Sequence, residues 1–142
     1  MKLKHKNLLL SDLCSRLPYG VKCDVGDDKP WTLMRVEIDN YNGHLFDFYD
    51  EDGNADMQVY TSEVKPYLFP FSSLTPKQEK ELNKILNNLA DFVFHIDELL
   101  EPIQMQKSFP FEVEDFFNRN HIDYRGLIPL GLANNATNLN IY

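Results

Sequence analysis

The chain has 142 residues, 43% hydrophobic and 13% aromatic, with a formal net charge of −8. That length is the prior for one domain with a core of its own, and the composition excludes intrinsic disorder. No apolar run approaches the ~18–20 residues of a membrane span, so no membrane partner is expected. The leucines at 8–10, cut off by Ser11 and Asp12, do not make a signal peptide.

The charge is unevenly spread. Residues 1–23 carry a net +4, whereas residues 24–63 set eleven acids against Lys29 and Arg35 for a net −9. Such an acidic stretch argues against direct binding of nucleic-acid phosphates. Cys14 and Cys23 fit no metal or redox spacing, and they read as free, buried thiols of a protein in a reducing cytoplasm.

Leu9, Leu10, Leu13 and Leu17 have helical spacing, which predicts a short helix over about residues 7–17, ended by Pro18 and Gly20. Residues 21–25 alternate with Val21, Cys23 and Val25 inward. A strand over 31–39 follows, with Met34, Val36 and Ile38 on one face and Arg35 and Glu37 on the other. The Asn42-Gly43 pair marks a hairpin turn, and residues 45–50 return from it. Asp52-Gly53 is a second such turn before a strand over 55–62. The pattern is an antiparallel meander of three to four strands, which needs a helix against its apolar face.

Residues 62–78 read as a proline-rich strap. Pro66 and Pro70 forbid long regular structure, yet Tyr67, Leu68 and Phe71 are too apolar for a free linker and are expected to be buried. Thr75, Pro76 and Gln78 make a helix start with a capping box. Leu82, Leu86, Leu89, Val93, Ile96 and Leu100 then give a broad helical stripe, with a second helix capped by Asp91 as the other way to read it. A last helix over 112–120 buries Val113, Phe116 and Phe117. Residues 121–130 read as extended, and the Asn-rich residues 134–142 as a loose tail beyond a domain spanning 1–133. The fold class is α+β: an N-terminal helix, the meander, the strap, and C-terminal helices packed on the sheet.

Chemistry is scarce. Aligning Gly53 with the invariant glycine of a calcium loop puts Phe48 and Val59 where carboxylates belong, so Asp50, Glu51 and Asp52 read as a solvated turn. The histidines at 5, 44, 95 and 121 share no ligand spacing, and no cofactor or metal is expected. His121 and Asp123 lack a nearby nucleophile, and no catalytic constellation is present. Tyr124 and Arg125, with His121, are the candidate binding residues, since Arg beside Tyr is the composition of interface anchors.

Three segments, residues 13–23, residues 63–68 with 72–75, and residues 123–128, resemble a family of small, uncharacterised acidic proteins from gut bacteria, their phages and mobile elements. The resemblance implies that relatives tend to carry a basic residue at the position of Phe69. The family has no assigned activity, so the resemblance implies a setting and a cytoplasmic location rather than a mechanism. The reading that follows is a non-enzymatic accessory protein that binds another protein. The alternative is an acidic mimic of nucleic acid that blocks a host DNA-binding or defence enzyme, its face made by Asp47, Asp50, Glu51, Asp52 and Asp56.

Overall fold

The structure, a computed structural model, describes residues 1–39, 43–89 and 110–142, and for residues 55 and 56 the backbone alone. It is α+β, with an N-terminal helix, a six-stranded mixed sheet and C-terminal helices. The first helix, α1, is Leu3–Arg16, four residues longer at its start than its leucine spacing predicts. It closes in a short 3-10 turn, Leu17–Tyr19, and Gly20 leaves at φ +65, a left-handed conformation that costs glycine nothing.

Strands β1 (Lys22–Asp24), β2 (Trp31–Glu37), β3 (Leu45–Tyr49) and β4 (Ala55–Tyr60) form the expected antiparallel meander, with Val21, Cys23 and Val25 buried as read. The inward face of β2 differs from the expectation. A bulge between Leu33 and Arg35 adds one residue, so Leu33 and Val36 take the inner rows. Met34 is 43% exposed and Ile38 63% exposed. A one-residue slip reverses which side chains face the core, and simple alternation cannot anticipate it. The inner rows are Leu33, Phe48 and Met57, then Val36, Phe46 and Val59. Leu8, Leu9 and Leu13 of α1 complete this core.

The strap contains a strand. Lys65–Leu68 (β5) pairs antiparallel with β1, placing Pro66 opposite Cys23. Leu68 is fully buried, whereas Tyr67 and Phe71 keep part of their surface exposed. Helix α2, Pro76–Asn88, starts as predicted: the Gln78 amide donates to Thr75 Oγ1 (3.2 Å) and the Thr75 amide to Gln78 Oε1 (2.9 Å). It ends at Asn88. The expected continuation with Val93, Ile96 and Leu100, the Asp91 cap and His95 lie outside the described residues, as does Asn42 of the first hairpin turn.

Helix α3, Phe111–Arg119, buries Val113, Phe116 and Phe117 against Leu82 and Leu86 of α2 in a second core. The next stretch is not extended. His121 has φ +54, Ile122 bridges to Phe69, and residues 123–131 turn around the Asp123 carboxylate, which accepts from the Leu127 and Ile128 amides at 2.8 Å each. Nor is the C-terminus a loose tail. Asn134–Asn135 (β6) pairs parallel with β5, Ala136 is buried and its amide donates to Leu68 O (2.8 Å). The Tyr142 hydroxyl donates to Tyr67 O (2.8 Å) and accepts from the Lys22 amide (3.1 Å). Composition misleads here because the asparagines serve geometry: Asn138 and Asn140 take positive φ, which Asn tolerates better than most residues. Among the described residues no helix is long and apolar enough to cross a membrane.

Candidate functional site

Helix periodicity places Asp12, Ser15 and Arg16 beside Leu9 and Leu13 on the buried side of α1, and this brings charge into the interior. Asp12 and Arg16 have no exposed surface. Arg16 Nε donates to Asp12 Oδ2 (2.8 Å) and Nη2 to Oδ1 (3.0 Å), a two-point grip that the i,i+4 spacing allows. Its remaining donors reach Ile122 O (2.8 Å) and Phe117 O (3.3 Å). Burial works against the Arg16 charge, but the Asp12 carboxylate outweighs it and the pKa moves up. Arg16 thus pins α3 and the following turn to α1.

Two of the three expected binding residues, Tyr124 and Arg125, come together in this cluster and face inward. Tyr124 is 4% exposed and stacks on Phe117, with centroids 5.1 Å apart and planes 21° apart. The Arg16 and Arg125 guanidiniums lie over its ring at 5.5 and 4.7 Å. Its hydroxyl donates to Glu114 Oε1 (2.9 Å), and burial pushes its pKa up. Arg125 donates to the same Glu114 oxygen (2.8 Å), to Asp12 Oδ1 (3.3 Å) and to Ser15 Oγ. Its side chain is 16% exposed. The two arginines and two carboxylates balance, so the cluster presents no net charge to a ligand.

His121 is buried, and its ring stacks on Tyr142 with centroids 3.9 Å apart and planes 13° apart. Its Nδ1 has no hydrogen-bond partner. Burial, then the Arg16 charge, lowers its pKa to about 4, with Asp12 opposing. Burial raises the Asp123 pKa, partly offset by the two amides it accepts from. Each Asp123 oxygen accepts one of those amides, and the partnerless His121 Nδ1 makes no hydrogen bond to it. Asp12, Arg16 and Glu114 belong to this cluster and escape the motif reading. The available signal is a charged i,i+4 pair, Asp12 and Arg16, inside an apolar helical stripe.

The five acids of the alternative face are not equivalent. Asp47 is buried on the outer side of the sheet, accepting from Arg35 Nε (2.6 Å) and Gln58 Nε2 (2.8 Å). Asp50 organises its own turn, accepting from the Asp52 and Asn54 amides and from Lys29 Nζ (3.4 Å). The Asn54 amide is the main reason its pKa is lowered. Glu51 and Asp52 are exposed; the Asp56 side chain is outside what the structure describes. Cys23 is buried and burial raises its pKa well above the usual thiol value, but Cys14 is exposed, which corrects its expected burial. Among the described residues no group of three or more His, Cys, Asp or Glu is placed to hold a metal ion.

The outer side of β2, β3 and β4 is the contrasting surface. Its rows are Arg35–Asp47–Gln58 and Glu37–Leu45–Tyr60, with Thr32 and Tyr49 beyond. Met34 and Tyr60 are 43% and 47% exposed, and the Arg35 and Glu37 side chains are open to solvent. Comparison with known protein families, curated proteins and solved structures finds no match to this chain.

Proposed function

We propose that the chain is a non-enzymatic module that binds another protein, in the phage or mobile-element setting and cytoplasmic location that its three resembling segments imply. One observation carries the proposal: a sheet face with Met34 and Tyr60 exposed around a paired Arg35–Asp47 centre. Exposed aromatic and Met side chains among polar groups are the composition of interface cores. Tyr124 and Arg125 are engaged in internal hydrogen bonds and His121 is buried against Tyr142, so recognition moves from them to the sheet. The acidic-mimic reading has less support, because Asp47 and Asp50 are already partnered and do not extend a single-sign face.

Affinity capture from a bacterial host lysate, followed by cross-linking mass spectrometry, tests the proposal. It predicts one protein retained above a charge-matched unrelated bait and cross-linked to this chain. If the bait retains nothing beyond that control, the proposal is wrong.

A further inference from the structure

We infer that the open face of β2, β3 and β4 takes a basic segment of its partner, one in which Lys or Arg alternates with apolar residues. This rests on the reading of that face as the docking surface. Met34, Leu45, Tyr49 and Tyr60 give the face its apolar surface, and Met34 and Tyr60 are nearly half exposed. The rim is acidic. Glu37 shares a row with Leu45 and Tyr60, and its side chain is 58% exposed. Glu51 and Asp52 stand exposed on the turn that feeds β4, and Glu63 is exposed just past its end.

Residues 24–63 contain only two cations, and both are engaged at home. Lys29 pairs with Asp50 (3.4 Å) and lies over the Trp31 ring at 4.6 Å. Arg35 pairs with Asp47 (2.6 Å) and Glu37 (3.4 Å). The acids left at the edge of the face are Glu37, Glu51, Asp52 and Glu63, with Arg35 3.4 Å from Glu37 and Lys22 3.9 Å from Glu51, and their field reaches ~8 Å at physiological ionic strength. A nucleic acid or an acidic peptide is repelled. A basic segment gains steering from the rim, and its Lys or Arg can lie over the Tyr60 and Tyr49 rings. Its apolar side chains cover Met34 and Leu45.

The probe is a fluorescein-labelled dodecapeptide of alternating Lys and Leu, followed by anisotropy at low and physiological ionic strength. A Glu–Leu and a Lys–Ser peptide serve as controls. The Lys–Leu peptide is expected to bind best, more weakly in salt, and to lose at least about tenfold in affinity in the Glu37→Lys/Tyr60→Lys variant. Glu79→Lys, an exposed acid on α2, should leave binding unchanged. Circular dichroism checks the fold, and Met34→Lys replaces the double variant if that fails to fold. Equal binding to the Glu37→Lys/Tyr60→Lys or Met34→Lys variant overturns the inference, as does Glu–Leu or Lys–Ser binding as tight as Lys–Leu. Dimerisation of the chain that these substitutions abolish assigns the face to a second copy and also overturns it. A captured protein cross-linked away from the β2, β3 and β4 face contradicts this inference alone and leaves protein binding standing, whereas capture of nothing fails the broader reading first.

Discussion

Arg16 is a full charge without exposed surface, and the structure tolerates it because it makes four hydrogen bonds, to Asp12, Phe117 O and Ile122 O. Removing one partner of such a pair leaves the other buried and uncompensated. Arg16→Leu is expected to cost roughly 3–5 kcal/mol in chemical denaturation. Arg125→Ala should cost less, roughly 1–3 kcal/mol, because its side chain is partly solvated and Arg16 still holds Asp12. A loss near zero for Arg125→Ala would return that residue to the surface role its sequence neighbourhood suggests. His121 adds a pH dependence. Its folded pKa of about 4 lies below the ordinary value of 6.5, so its contribution is present above pH 6.5 and is lost as pH falls towards 4. Between pH 7.5 and 5 this amounts to about 2 kcal/mol. Asp123 titrates the other way: its raised pKa makes its contribution grow as pH falls towards 3.8. Urea midpoints of the parent and His121→Asn, which keeps a residue tolerant of positive φ, separate the two. The parent should lose stability over that interval, and most of the slope should vanish in the variant.

Single elements differ in how well local chemistry announces them. The α2 start was legible because Thr75, Pro76 and Gln78 satisfy orphan amides within one turn, whatever the rest of the chain does. The meander was legible from alternation and turn glycines. Its face assignment failed at Met34, because a bulge is set by fit across strands and not by local propensity. β6 was illegible for the same reason: a two-residue parallel strand exists only once β5 is there to pair with. The C-terminal residues act as a clamp, and their hydroxyl bridge is testable. Tyr142→Phe removes one donor to Tyr67 O and one acceptor from the Lys22 amide and should cost ~1–2 kcal/mol. In the strap, Leu68→Ala should cost roughly 2–5 kcal/mol, and Tyr67→Ala clearly less because it is half-buried. The reverse order in thermal or urea unfolding would contradict the burial that separates them.

At the scale of the molecule, two cores share one polar junction. Leu9, Leu13, Phe46, Phe48 and Leu68 anchor the sheet core, and Leu82, Phe116 and Phe117 anchor the helical one. Arg16, Arg125 and the Phe69–Ile122 bridge fasten them together. The overall class was legible because periodicity changes from two to 3.6 on either side of the strap. The junction was not, because Asp12, Glu114 and Arg125 lie far apart in sequence and nothing local marks them as partners. The assignment of recognition to the sheet depends on that junction being interior in solution. Hydrogen exchange of the free protein, read at the Asp123, Leu127 and Ile128 amides, tests this most directly. These amides are bonded to Phe69 O and the Asp123 carboxylate, and they should open only with the whole fold, within about 1 kcal/mol of the global stability. Fast exchange there under native conditions would make residues 121–128 a surface loop, and Tyr124 and Arg125 would again be available to a partner.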